Sequence, residues 1–419
     1  MAFTTLAHHI DIALLQDAYR RTRKDGAVGV DGQTAEAYAA QLADNLAALL
    51  TRLKTGAYQA PPVRRAYVPK DNGRQDRPIG IPTFEDKVLQ RAVTMVLEAV
   101  YEQDFLDCSY GFRPRRSAHQ ALQALWDGVM QMRGGWVLDL DIERYFDTLD
   151  THHLRQFLDH RVRDGVIRRM IDKWLHAGVM EDGSVTYPDT GVPQGSGVAP
   201  LLANVYLHEV LDLWFTQVVQ PRLQGEALLI RFADDAVIVC AQERDAQRLM
   251  AVLPHRFGRY GLRLHPQKTR VVPFQRPPRL ATGPRHHQRG QPGVFAFLGF
   301  THYWGRSRHG HWVVQRKTAA QRFGRARKRI QEWCRGHRHA TVAWQHQQLV
   351  VKRRGHYGYY GIIGNLRALR AFRREVIRVW QKWLRRRSQR HRLDWGRYRR
   401  LLEHYALPRA KIMHASATT

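Results

Sequence analysis

Apolar residues recur along this chain in two periods, and the places where the period changes mark its elements. Leu42, Leu46, Leu49, Leu50 and Leu53 stand at helical spacing, with Thr34 able to cap and Gly56 able to stop the run. The spacing predicts a helix within Asp31 to Gly56. Ala66–Lys70 and Arg77–Pro82 read as short strands around Asp71-Asn72-Gly73, a hairpin signal. A helix follows from Glu85 to Tyr101, and Trp136 to Ile142 is a strand. Leu228–Phe232 and Ala236–Cys240 form a second hairpin with Ala233-Asp234-Asp235 at its tip. Residues 277–293, rich in Pro, Gly and Arg, carry no period and read as a surface insertion. Beyond Lys317 the pattern is helical almost to the end, and no internal repeat is visible.

Acidic residues interrupt two of these strands. Asp139-Leu140-Asp141 lies inside Trp136–Ile142, and Asp234-Asp235 joins two runs of Leu, Ile and Val. Strands of that composition bury at least one face. An ionised carboxylate taken out of water there costs several kcal/mol unless something positive compensates it. Hard divalent cations do so through carboxylate oxygens and substrate phosphates, and two of them about 4 Å apart can clamp an in-line phosphoryl displacement. The pattern points to a nucleotide polymerase. Asp139 shares a strand face with Asp141, but its reading as an ordinary strand carboxylate is the better one.

Composition adds a partner. The 419 residues include 44% hydrophobic ones, enough for two to four structural units, and the formal net charge is +30. From Gly305 onward there are 30 Lys+Arg against 4 acidic residues. So lopsided a segment implies a polyanion, hence nucleic acid. A membrane partner is not expected: there is no apolar run of about 18 residues, no lipidation signal and no signal peptide, so the expected location is the cytoplasm. Cys108, Cys240 and Cys334 form no CxxC pair, which fits a reducing compartment. Cys334 with His337 and His339 resembles a zinc cluster only superficially.

Between the acidic clusters, Gly191-Val192-Pro193-Gln194-Gly195-Ser196-Gly197 is a glycine-rich loop feeding a helix near Pro200, suited to close backbone approach to a nucleotide. Three motifs in the order DLDIERYFD, PQGSGVAP, RFADD make a highly specific set. With Tyr67-Val68-Pro69-Lys70, Arg77–Pro82, Ser109-Tyr110-Gly111-Phe112-Arg113-Pro114, Gly261–Thr269, Phe297-Leu298-Gly299-Phe300 and Arg354–Tyr360, the chain closely resembles bacterial group II intron-encoded reverse transcriptases with maturase function. The resemblance runs from about Gly26 to about His414.

That resemblance implies an α+β right-hand polymerase. Residues 1–85 would form an N-terminal extension and part of the fingers, and 86–300 the fingers and palm with an antiparallel palm sheet. Residues 301–388 would form a helical thumb and maturase region, and 389–419 a basic DNA-binding tail. It makes Asp141, Asp234 and Asp235 the catalytic, metal-binding acids, with Ile142 adding its backbone carbonyl. Two Mg²⁺ ions are expected, with Mn²⁺ as a substitute. Lys70 and Arg77 would bind the dNTP triphosphate, Gln194 would lie against the nucleotide, and Phe146 would be a steric gate against a ribose 2′-OH. From the residues alone, core packing explains Phe146 equally well. Lys268 falls in a family motif that shapes the primer grip. Phe232 stands where the family usually has Tyr, and Ser196 and Ala199 depart from its commonest loop. The expected partners are an RNA template, intron RNA, a DNA primer or target, and dNTPs, with the oligomeric state left open. An HNH endonuclease segment is not expected. The alternatives are a splicing cofactor whose polymerase activity is secondary, and a reverse transcriptase recruited to phage defence.

Overall fold

The computed structural model describes residues 1–69, 76–187, 191–192, 194–278, 293–387 and 393–414. Lys70, the turn at 71–73, Pro193, most of the 277–293 insertion and the extreme C-terminus lie outside them. The chain divides into two compact units: residues 1–124 with 136–271, and residues 125–135 with 272–419.

The first unit opens with helices α1 (Ile12–Arg21), α2 (Ala35–Ala39) and α3 (Leu42–Thr55). The single helix expected within 31–56 is therefore two. Thr34 caps α2 and Gly56 ends α3 in the left-handed region at φ 77°, as the pattern implies. At Gln41, however, φ −129° and ψ 43° break the helix, and Asn45 Nδ2 donates to the Tyr38 carbonyl at 3.0 Å, a partner that the break exposes. Strands β1 (Val63–Pro69) and β2 (Asp76–Ile81) pair antiparallel from Arg64 opposite Ile81 to Pro69 opposite Asp76. Next come α4 (Phe84–Tyr101), α5 (Ala118–Gln131), whose residues from 125 on count with the second unit, β3 (Trp136–Leu140), α6 (Tyr145–Thr148), α7 (Thr151–Asp159) and α8 (Gly165–Leu175). The short strands β4 (Val179–Glu181) and β5 (Ser184–Thr186) extend the first sheet in the order β2-β1-β4-β5. After α9 (Ala199–Leu207) the helix widens into π turns at His208–Asp212 and Trp214–Val219.

Strands β6 (Ala227–Phe232) and β7 (Asp235–Cys240) form the second hairpin, followed by α10 (Glu243–Gly258) and β8 (Arg270–Pro273). The second sheet runs β6-β7-β3-β8, and α4, α7, α8 and α9 share a large apolar core with β3 and β7. Two expected boundaries shift here. Asp235 is a strand residue, because Ala233 takes φ 57° and closes the hairpin in two residues, a turn whose twist matches that of the strands. Strand β3 ends at Leu140, and Ile142 pairs instead with Leu264.

The second unit holds a three-stranded sheet in the order β11-β10-β9, from β9 (Phe295–Phe297), β10 (Phe300–Arg306) and β11 (Trp312–Thr318). Helices α11 (Ala320–Gly336), α12 (Val342–Tyr360), α13 (Leu366–Arg385) and α14 (Trp395–His404) follow. Leu369, Phe372, Val376, Trp380 and Trp383 line the buried face of α13, where helical spacing places core residues. Cys334 is buried in the same core.

Candidate active site

The register of β3 against β7 brings the remote acids together. Leu140 stands opposite Ala236, so Asp141 leaves β3 where Asp235 begins β7, and Asp234 sits at the adjoining turn. Asp234 is half-buried and Asp235 is exposed. Burial holds the Asp234 carboxyl above its usual range. Arg77 and Arg231 pull it down, and the charge of Asp141 pushes it up. Asp141 and Asp234 thus feel each other's charge, and so does Arg77, which projects from exposed backbone at the start of β2. Lys268 Nζ lies 3.1 Å from both carboxylate oxygens of Asp141. Thr269 Oγ1 accepts from the Asp141 N–H at 3.3 Å, and the Asp141 carbonyl accepts from His265 N–H at 2.8 Å.

Among the described residues, no three or more His, Cys, Asp or Glu side chains converge into a metal cage. The donor set is a coupled carboxylate pair with a third carboxylate one residue away. That set fits Mg²⁺, which binds through one or two carboxylates and takes the remaining ligands from water and substrate phosphates. Asp139, two residues before Asp141, also feels the charge of Asp141, which adds to the effect of burial. Its carboxyl is raised to about 6 by burial, and Arg270 faces it at 3.7 Å.

Beneath the turn lies a residue that sequence reasoning missed. Arg231 is fully buried on β6. Its guanidinium forks onto Asp212 at 2.8 and 2.5 Å, and it donates to Asn204 Oδ1 at 2.9 Å and to the Ala233 carbonyl at 3.0 Å. Asn204 in turn donates to the Gly111 carbonyl at 2.7 Å. Gly111 packs so closely that a Cβ there would stand 2.2 Å from the Ala233 nitrogen, so only glycine fits. Asp212 sits in the first π turn, a rare distortion that recurs at functional sites. The available signal was a charge inside each of two apolar runs, Leu228–Phe232 and Val210–Phe215.

The glycine-rich loop is anchored on β2. Gly80 N–H donates to the Gln194 carbonyl at 2.6 Å, and Gly195 takes φ 110°, where an added Cβ would meet the Gly80 oxygen at 2.4 Å. Val192 N–H donates to the Phe146 carbonyl at 2.8 Å. Loop, β2 and α6 are thereby tied together through Gln194, Gly80 and Phe146, with Arg77 three residues before Gly80 on β2. Phe146 is half-buried against the core and meets Tyr145 edge-on at 5.4 Å. Ile142 is buried apart from its bridge to Leu264. Ser196, a departure in the loop, is used internally through a hydrogen bond to Gln90. Lys70 lies outside the described residues.

No helix among the described residues is long and apolar enough to cross a membrane. Residues 68–302, more than half of the chain, match the family model "Reverse transcriptase (RNA-dependent DNA polymerase)". Protein YkfC of Escherichia coli is 39% identical over 184 residues, which are 43% of this chain and 48% of that protein. The group II intron-encoded protein LtrA of Lactococcus lactis is 42% identical over 164 residues, 39% of this chain and 27% of that protein. A putative COX1/OXI3 intron 1 protein of Saccharomyces cerevisiae is 28% identical over 213 residues, 50% of this chain and 25% of that protein. The chain therefore spans about half the length of the first relative and about a quarter of the others. With its α+β right-hand polymerase fold, the chain belongs to the reverse transcriptase (RNA-dependent DNA polymerase) family, among the group II intron-encoded reverse transcriptase/maturase proteins.

Proposed function

We propose that the chain extends a DNA primer on an RNA template with dNTPs, in the cytoplasm of a bacterium. The observation that supports this reading is the β3–β7 register, in which Asp141 follows the end of β3 and Asp235 begins β7, with Asp234 at the adjoining turn. Asp141, Asp234 and Asp235, with the Ile142 carbonyl, would hold two Mg²⁺ ions or Mn²⁺. Bound there, the ions supply positive charge to the attacking and leaving oxygens of a phosphoryl transfer. The chain's own residues do the positioning. Lys70 and Arg77 neutralise and orient the triphosphate, Gln194 and its loop hold the nucleotide from the β2 side, and Phe146 closes the space beside the sugar 2′ position. Replacing Asp234 by Ala is expected to lower primer extension on an RNA template about a thousandfold, the several kcal/mol that charge stabilisation supplies. Undiminished extension would refute the assignment.

A second reading concerns RNA binding. All of the net charge of +30 falls within the second unit, where Lys and Arg would contact the phosphates of intron RNA and of primer or target DNA. On this reading residues 301–388 act as thumb and maturase region and 389–419 as a DNA-binding tail. An Asp234→Ala protein that still promotes splicing of its intron would show that this role stands apart from polymerisation.

A further inference from the structure

Behind the glycine-rich loop runs a line of buried polar side chains that phosphoryl transfer does not require. Asp86 on α4 is 1% exposed and accepts three side-chain hydrogen bonds. Tyr58 Oη at 2.5 Å and Trp174 Nε1 at 2.7 Å donate to Oδ1, and Gln90 Nε2 at 2.9 Å donates to Oδ2. Gln90, one helical turn on and equally buried, presents its other end to the loop. Its Oε1 accepts from Gly197 N–H at 2.6 Å and from Ser196 Oγ at 3.0 Å. A carboxylate can only accept, whereas an amide has one accepting and one donating end. Asp86 therefore dictates which end of Gln90 faces Gly197, and the whole line has a direction.

We propose that Asp86 and Gln90 are positioning residues for the incoming nucleotide: by fixing the direction of hydrogen bonding into Ser196-Gly197, they hold the Gln194 loop in its nucleotide-receiving shape. This rests on the reading of that loop as nucleotide-binding. Neither residue touches the nucleotide. Their effect passes through the backbone between Gly195, wedged against Gly80, and the first turn of α9.

The direction can be reversed by substitution. In Asp86→Asn the side-chain oxygen must serve Tyr58 and Trp174, which leaves an NH₂ facing Gln90. Gln90 then turns its oxygen inward and its own NH₂ toward the Gly197 N–H, where two donors meet and the loop loses its anchor. In Asp86→Asn/Gln90→Glu the line is rebuilt with opposite polarity: the new amide on α4 donates to one oxygen of the new carboxylate a turn later, and the other oxygen accepts from Gly197 and Ser196. The expected result for the single variant is a KM for dNTP raised about tenfold, the worth of one buried hydrogen bond. Its kcat and RNA–primer affinity should stay within about twofold, and its Gly197 amide should exchange with solvent about tenfold faster by the same measure. The double variant is expected to recover both KM and exchange protection.

A single variant with parental KM and parental Gly197 exchange overturns the proposal. So does a double variant that melts cooperatively yet regains neither. A merely structural role predicts no rescue, because the second substitution adds a buried change to the first. The exchange measurement needs no catalysis. If it follows the expected pattern in a protein that extends no primer, the relay stands and the nucleotide reading of the loop falls.

Discussion

The two units spend charge in opposite ways. The first has 32 Lys+Arg against 32 Asp+Glu, while the second has 35 against 5 and so carries the entire net charge of the chain. In the first unit, charges are taken inside and paired. Arg231 is locked onto Asp212, Arg113 forks onto Glu102, and Asp86 is met by three donors. Burying charge is costly unless its geometry is satisfied, and here satisfied geometry shapes the hairpin and loop of the candidate active site. In the second unit the buried polar groups among the described residues are the amides of Gln345, Asn365 and Gln381, the His302 imidazole, Thr318 and two arginines, Arg316 and Arg353, the latter donating to the Tyr357 hydroxyl rather than to a carboxylate. Gln345 Nε2 donates to the carbonyls of His337, Arg338 and Ala340 while its oxygen accepts from Trp380 Nε1, and His302 stacks on Phe295 at 4.7 Å. Exposed arginines such as Arg327 and Arg329 on α11 are left to face outward. One unit uses charge to hold a shape; the other offers it to a polyanion.

Salt should produce the largest effect. Binding to structured RNA is expected to weaken by about three decades or more between 50 and 200 mM salt, as for proteins that neutralise six to ten phosphates. Arg329→Gln should lower the slope of log K against log salt by up to about 1, the loss of one phosphate contact. The same change at the exposed Arg20 of the first unit should leave the slope unaltered. Equal slopes for both variants, measured by filter binding, would break the comparison. Stability should follow the reverse order. Arg231→Met is expected to cost about 3–5 kcal/mol in chemical denaturation, because Asp212 is left buried without its partner. Arg231→Met/Asp212→Leu should recover most of that loss. Arg329→Gln should stay within about 0.5 kcal/mol.

Much of this contrast can be read from the chain, and what cannot has a common cause. Local signals were legible: Thr34 and Gly56 cap as their chemistry suggests, and Trp380 and Trp383 pack where helical spacing puts them. The carboxylates of β3 and β7 announced themselves by interrupting apolar strands. The break at Gln41 was not legible, because glutamine is a good helix former and the compensating Asn45 bond appears only once the chain has turned. Arg231 drew no reading of its own, since nothing near it in sequence reveals that Asp212, 19 residues earlier, turns inward on a π turn. Asp86 and Gln90 went unnoticed within the helix expected from Glu85 to Tyr101, because Tyr58, Trp174 and Ser196 reach them from three other segments. Long-range polar pairing, rather than apolar periodicity, is what sequence reading lost.

Acid should push the two units in opposite directions, a smaller effect that sharpens the comparison. Burial raises the Asp86 carboxyl to about 6, against an ordinary value near 4 in the unfolded chain. Its contribution to stability is full below pH 4 and is lost as pH rises through 6, because the unfolded state gives up its proton first. Burial, with the Arg316 charge beside it, lowers the His302 imidazole of the second unit to about 3, against about 6.5 when unfolded. Its contribution is full above pH 6.5 and is lost as pH falls toward 3, because the unfolded state then takes up a proton that the native state refuses. Relative to the parent, His302→Phe should therefore gain roughly 3 kcal/mol on going from pH 7 to 4. Asp86→Asn should gain roughly 2–3 kcal/mol on going from pH 4 to 7. Denaturation with a probe in each unit reads the two slopes separately. Slopes of the same sign would mean that the two interiors treat charge alike, and the division of labour drawn from their surfaces would then stop at the surface.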